Sequence, residues 1–303
     1  MKKFKQLDLF SISDLQHFSG IKAHTIRMWE QRYNALQPLR SEGNTRYYNG
    51  SQLRRLLNIV SLMNEGHKVS QLGLLPDQAL YNLVDKHLSA PVPDPSDEYL
   101  ISQIISAAVN YDEAYFDKIF LNAVLRSGLK DAYVKIIYPV LQRLGLLWAG
   151  NKLHPAQEHF VTNLFRRKML SAIDALPPPS SSKTSWLLFL PENEFHDLGL
   201  LLSSFLLTQA GTKVIYLGEN MPLDSLKSAV AELRPTALLT FLIGKKEMEQ
   251  EKAYLSSLSK SFRTSKIFAA CEGSWANGLP KGKNLAIVRS VDELEKEIRA
   301  NVV

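Results

Sequence analysis

Beyond residue 183 short apolar runs alternate with helical patterns, and this alternation constrains the fold more than any other feature of the chain. Strand-like runs occupy 186–191, 212–217, 236–243, 266–270 and 285–288, with helix-like stretches between them. Five such units predict a parallel sheet covered on both faces, because parallel strands need long crossover connections and helices supply them. The first run, Trp186 to Leu190 closed by Pro191, gives way to a helical pattern through Leu198, Leu201, Leu202, Phe205 and Leu206. Between the two stands Glu194-Phe195-His196-Asp197-Leu198-Gly199. Ligands of open parallel sheets settle at the carboxyl ends of strands. A histidine there, with a carboxylate two residues before it, can have one ring nitrogen held and offer the other to a metal. Gly199 removes a side chain where a flat, bulky ligand would approach. Taken alone, a strand-end His-Asp pair is more often a satisfied polar loop. The third strand ends in Thr240-Phe241-Leu242-Ile243-Gly244 and the fourth runs into Cys271-Glu272-Gly273-Ser274, on the same sheet edge as His196. Small residues at these ends predict a cleft. GxGxxG and P-loop motifs are absent from the sequence, so dinucleotide and ATP chemistry have no support.

Upstream, Pro177-Pro178-Pro179-Ser180-Ser181-Ser182-Lys183 reads as a linker. From Tyr99 to Leu176 the pattern is helical, in segments of about 98–108, 111–127, 130–145 and 154–175, with Gly128, Gly145 and Gly150 as breaks. Apolar residues recur at threes and fours (Ile119, Ala123, Val124; Ile136, Ile137, Val140, Leu141, Leu144), which predicts a four-helix bundle. Trp148 closes one of these helices and Glu158-His159 opens the next. Acids in a first helical turn are ordinary, and a tryptophan at a helix end is as readily core as cofactor cap.

The first quarter of the chain carries its charge. Of the net +6, all lies in residues 1–75, with eleven Lys/Arg against five Asp/Glu; beyond them 25 of each sign cancel. A basic small domain on a neutral body predicts a nucleic-acid end and a regulatory end. Ser11 to Leu15 offers an N-cap for a short helix that Gly20 can end, and a second helix covers Lys22–Tyr33. The turn between them is that of a helix-turn-helix. The second helix is expected to expose Thr25, Arg27, Trp29, Arg32 and Tyr33, residues suited to phosphates and base edges. Arg40-Ser41-Glu42-Gly43-Asn44-Thr45-Arg46-Tyr47 then reads as a hairpin wing, and a helix of about Gly50 to Glu65 follows. No apolar run approaches the roughly 20 residues that cross a bilayer, and the single cysteine, Cys271, excludes an internal disulfide and a CxxC metal site. A cytoplasmic protein is expected.

Ile12-Ser13-Asp14-Leu15, Thr25-Ile26-Arg27-Met28-Trp29-Glu30 and Arg46-Tyr47-Tyr48 resemble the winged-helix DNA-binding domain of the MerR family, over about residues 9–75. The resemblance implies a recognition helix in the major groove of double-stranded operator DNA, with wing contacts to the backbone. It places Thr25, Arg27, Trp29, Arg32, Tyr33, Arg40, Asn44, Arg46 and Tyr47 at the DNA. The coiled coil by which such relatives dimerise is interrupted here by Leu75-Pro76-Asp77 and by the proline-rich 89–96. His196-x-x-Gly199, Thr240-x-Leu242 and the Gly273 loop resemble the cobalamin-binding fold of methylmalonyl-CoA mutases and methionine synthase. The bundle, with Trp148-x9-Glu158-His159, is similar to the cap of CarH-type, cobalamin-dependent MerR photoreceptor repressors.

These resemblances imply a multidomain α and α/β chain: a winged helix-turn-helix over 1–76, a four-helix bundle over 97–176 and a Rossmann-like cobalamin-binding domain over 184–303. They imply a repressor, not an enzyme, controlled by adenosylcobalamin and through it by light, with assembly into dimers or tetramers that depends on the ligand. His196 would be the lower cobalt ligand, supported by Glu194. Gly199, Thr240, Leu242, Gly244 and Gly273 would take the cofactor's tail, and Trp148, Glu158 and His159 would cover its upper face. The family's Asp-x-His is Glu194-x-His196 here, its Ser-x-Leu is Thr240-x-Leu242, its Gly-Gly is Glu272-Gly273, and a histidine that follows the tryptophan in light sensors is Ala149. Two other readings stand beside this one: a MerR-type regulator whose carboxy-terminal half has lost the cofactor and serves as an interaction or dimerisation module, and a corrinoid enzyme, against which the DNA-binding end argues.

Overall fold

The computed structural model describes residues 9–41, 43–64, 66–89, 97–149, 154–179, 184–243, 248–271, 275–280 and 282–301. It forms two compact units, Met1–Leu164 and Phe165–Val303. No helix among the described residues is long and apolar enough to cross a membrane.

The first unit opens with β1 (Leu9–Phe10), α1 (Ile12–Ser19), α2 (Ala23–Tyr33), β2 (Leu39–Arg40), β3 (Arg46–Asn49) and α3 (Gly50–Asn64). The strands pair antiparallel in the order β1-β3-β2 and make the wing. A capping box starts α1: Ser11 Oγ accepts from the Asp14 N–H, and the Asp14 carboxylate accepts from the Ser11 N–H at 2.6 Å. Gly20 ends α1 at φ +72°, a left-handed conformation that glycine adopts without steric cost. The Gln16 side chain then accepts from the Ala23 N–H and fixes the entry to α2.

Two helices follow that the sequence reading left out, α4 (Val69–Leu72) and α5 (Asp77–Ser89). Arg55 of α3 holds this region: it donates to the carbonyls of Ala35 and Gly73 and to the Asp77 carboxylate. Then come α6 (Asp97–Asn110), α7 (Glu113–Ala132), a π-helical turn at Tyr133–Ile137, α8 (Tyr138–Ala149) and α9 (Pro155–Asp174). Gly128 breaks the helical backbone as expected, at φ +77° and ψ 164°. Gly145 does not; α8 runs through it to Ala149. Buried Leu53, Leu56, Leu57 and Val60 of α3 and Leu100, Ile104 and Ile105 of α6 form the centre of this unit. A polar chain crosses the same centre: Tyr115 donates to Gln103 Oε1, Gln103 Nε2 donates to Ser61 Oγ, and Ser61 donates to the Leu57 carbonyl. Ser61 and Gln103 are wholly buried.

The second unit contains the end of α9 and then β4 (Ser185–Pro191), α10 (Leu198–Gln209), β5 (Lys213–Met221), α11 (Leu223–Leu233), β6 (Ala237–Leu242), α12 (Met248–Ser261), β7 (Lys266–Cys271), β8 (Leu285–Val288) and α13 (Val291–Asn301). All strand pairs in this sheet are parallel, in the order β5-β4-β6-β7-β8, as the alternating pattern predicts. Every residue of β4 from Trp186 to Pro191 is buried, the signature of a central strand covered on both faces. The order reverses at β4, so the loop after it opens at a switch point where ligands of such sheets bind. On the outer side, β5 carries extra residues against β4 near Gly218, which sits at φ +79°.

Replacing Gln103 with leucine keeps the volume but removes the amide that links Tyr115 of α7 to Ser61 of α3. Unfolding free energy is expected to fall by about 1–3 kcal/mol, read as a lower urea midpoint at unchanged slope; an unchanged midpoint would show that the polar chain contributes nothing.

Candidate functional site

In the first unit α2 turns Ile26 and Trp29 inward, leaving them 0% and 4% exposed. The exposure expected of Trp29 therefore does not hold. Its ring lies in the core and supports the helix from behind. Arg27 and Arg32 are exposed, as expected, while Thr25 and Tyr33 are half-buried. The exposed stripe also includes His24, Met28 and Gln31, which the sequence reading missed. Their spacing with Arg27 repeats at threes and fours, so helical periodicity alone places them on one face.

On the wing Arg40 donates to the Asn44 side chain, and Asn44 takes φ +59° in the turn. Tyr47 is half-buried. Arg46 is not a loose cation: its Nε donates to Glu30 Oε1 at 3.0 Å, and the Tyr48 hydroxyl donates to Glu30 Oε2 at 3.0 Å. The hydrogen bond and charge of Glu30 push the Arg46 pKa further up. One carboxylate on the recognition helix thus holds two residues of the wing strand and sets the angle between the two elements. Glu30 lies sixteen residues from Arg46 on a separate element, a pairing no local pattern reveals.

In the second unit the loop after β4 carries Glu194, His196 and Asp197. Asn193 turns at φ +66°, its N–H donates to the Asn220 side chain, and the Asn220 N–H donates to the Glu194 carbonyl, so the loop is tied to the end of β5. Glu194, 9% exposed, receives the N–H groups of Phe195 and His196 at 2.9 and 3.0 Å, and its Oε1 lies 2.5 Å from His196 Nδ1. Burial works against the charged carboxylate, but the bonds from the His196 ring and the two backbone N–H groups outweigh it and bring its pKa down to about 2. Against a charged acceptor Nδ1 is the protonated nitrogen, which makes Nε2 the basic one. The His196 side chain is 54% exposed. Asp197, next in sequence, is clasped by Arg166 of α9 through Nε and a terminal nitrogen, at 2.8 Å for the latter. Sequence reading gave Arg166 no role.

Thr240 is wholly buried, and its hydroxyl is among the buried polar atoms with no hydrogen-bond partner. Such a group costs about 1–3 kcal/mol unless something supplies a partner. Leu242 is buried in the core shared by β4, β6 and β7 and supports the site from within. The cleft expected at the strand ends is narrower than the small residues predict, because the Phe241 ring packs against Gly199. Gly244, Gly273 and Glu272 lie outside the described residues, as does the side chain of Trp148, which belongs to α8. Glu158 and His159 stand in the first turn of α9, in the first unit; Glu158 accepts from Thr162 and from His159 Nδ1, both at 2.7 Å, and His159 is 73% exposed. The donor set at His196, one imidazole backed by a carboxylate, suits a metal that brings its own equatorial ligands, as in a corrin or haem.

Residues 10–75 match the MerR HTH family regulatory protein family, and residues 100–171 match the B12 binding domain family. The HTH-type transcriptional repressor CarH of Myxococcus xanthus is 27% identical over 229 residues, 75% of this chain and 76% of the relative. The repressor CarA of the same organism is 25% identical over 263 residues, 86% of this chain and 85% of the relative. The chain is homologous to the CarH and CarA repressors. Its architecture is a MerR-type helix-turn-helix, a helical central region and a parallel-sheet α/β domain. The fold is similar to that of the Methanosarcina barkeri monomethylamine corrinoid protein, with a TM-score of 0.53 at 14% identity over 68% of this chain and all of that one.

Two classes of substitution on α2 are expected to separate. Trp29→Ala lowers unfolding free energy by about 3–5 kcal/mol, measured by chemical denaturation. Arg27→Ala and Arg32→Ala leave the midpoint in place and weaken binding to labelled duplex DNA, each lost phosphate contact reducing the slope of log affinity against log salt by about one.

Proposed function

We propose that this chain is a cobalamin-controlled, DNA-binding repressor of transcription, not an enzyme. The observation that carries the reading is the strand-end His196, held by the Glu194 carboxylate through Nδ1. The resemblance to corrinoid proteins and the B12-binding match over 100–171 support the same ligand. In this reading Nε2 of His196 would hold the cobalt, Glu194 would keep the ring in the required tautomer, and Arg166, by holding Asp197, would steady the loop. Thr240 would offer its hydroxyl to the cofactor's tail, and the resemblance adds Gly199, Gly244 and Gly273 to the residues that take it. The resemblance gives the opposite face of the cofactor to Trp148, Glu158 and His159. Adenosylcobalamin, when bound, supplies a cobalt–carbon bond that light can cleave.

Control is a ligand-biased equilibrium. The cofactor shifts assembly and DNA affinity only as far as it binds the assembled state more tightly than the dispersed one. We infer that loaded chains associate into dimers or tetramers that hold operator DNA through Arg27, Arg32 and Arg40, and that light reverses the association. A regulator of this kind works in the cytoplasm. Phe241 lying against Gly199 favours one competing reading, a regulator whose carboxy-terminal half no longer takes the cofactor.

The deciding experiment is an absorption spectrum after the protein is mixed with adenosylcobalamin in the dark and desalted, then lit with green light and run on gel filtration. A retained corrinoid spectrum, lost or strongly weakened in His196→Ala, is the expected result, with a change of size on illumination. A protein that emerges without corrinoid would sink the cofactor reading, and a retained spectrum in His196→Ala would sink the ligand assignment.

DNA binding is checked separately on the dark-loaded protein. Log affinity for duplex DNA should fall linearly and steeply with log salt as counterions are released. A flat response would rule out the phosphate contacts assigned to the basic quarter.

A further inference from the structure

Gly199 lies in the first turn of α10, and the hollow left by its missing side chain is already filled. A Cβ built there would meet the Phe241 ring, with Cε1 at 2.7 Å and Cδ1 and Cζ at 3.2 and 3.3 Å. Real Cβ atoms do not come so close, so the ring rests directly on the glycine backbone. Strand geometry gives the reason. Leu238 and Leu242 of β6 join the core that also contains Leu226 of α11 and Leu255 of α12. Successive side chains of a strand point to opposite faces, so Phe241 faces α10. It stands at the carboxyl end of β6, half-buried, and its partner Gly199 is three residues beyond His196.

We propose that Phe241 is a plug: its ring occupies the room that Gly199 opens beside His196, and a ligand of corrinoid size enters there only when the ring swings out. The inference rests on the cobalamin reading and adds a control to it. The closed ring stabilises the empty protein by covering α10 and β6, and that same contact opposes loading. Affinity and loading rate are therefore set by a side chain that holds neither the metal nor any charge. The next residue inward, Thr240, is buried behind the strand surface, so the hydroxyl and the plug act from different faces of β6.

The test uses the full chain and adenosylcobalamin in the dark. Absorbance titrations and rapid mixing compare the wild type with Phe241→Ala and with Phe241→Leu, which keeps an apolar side chain if alanine folds poorly. Loading is expected to be about tenfold tighter or faster in the trimmed variants. Equal affinities and rates in all three proteins would overturn the plug and leave the cofactor reading standing. No corrinoid retained by any of them would overturn both.

A second measurement needs no cofactor. Gly199→Ala should lower the melting temperature of the wild type and do so much less when Phe241 is alanine. Strictly additive effects in this double-mutant cycle would show that the ring does not rest on Gly199 and would also overturn the proposal.

Discussion

The geometry of the second unit's loop depends on one buried carboxylate. Glu194 is almost out of solvent, a costly place for a charge unless hydrogen bonds replace the lost water. It collects them from the two residues that follow it, so the backbone of Phe195 and His196 wraps around the side chain of Glu194. The imidazole closes the arrangement through Nδ1. Removing the acid would take away the acceptor shared by the His196 ring and two backbone N–H groups.

Much of this was legible in the sequence. Alternating apolar runs fixed the parallel sheet, since only crossover helices can connect such strands, and the helix-turn-helix followed from Ser11, Gly20 and the basic pattern after them. What escaped has a common cause. Trp29 stands in a motif whose resemblance implies DNA contacts, but it shares a face of α2 with buried Ile26, and large aromatics gain most from burial. The helix from Asp77 to Ser89 follows a proline that reads as a breaker, although proline just before a helix is tolerated because its missing N–H is not needed there. Gly145 costs a helix only a little, and buried Val140 and Leu144 before it anchor α8, which runs on through it. Long-range pairs such as Glu30 with Arg46, Arg166 with Asp197 and Phe241 with Gly199 leave no mark at any fixed spacing.

Within the first unit the DNA-reading helices and the helical region share one interior. Gln103 of α6 reaches a hydroxyl of α3, and α3 follows directly on the wing strand. A buried amide bonded on both sides has one low-energy arrangement, so α3 and α6 cannot slide past each other without breaking it. On the recognition side Glu30 links helix to wing in a similar way. The Gln103–Ser61 bond thus ties α6 to the helix that continues the wing strand.

The irregular pairing of β5 has a consequence for self-association. It is an outer strand of the sheet, and the extra residues near Gly218 spoil the even row of N–H and C=O groups that another chain's strand would need. Exposed Lys213 and Glu219 add charge along the same edge. Edges of this type resist extension by an incoming strand. Copies of the chain are thereby kept from zipping their sheets together on this side, where a smooth, flat edge would invite irreversible stacking.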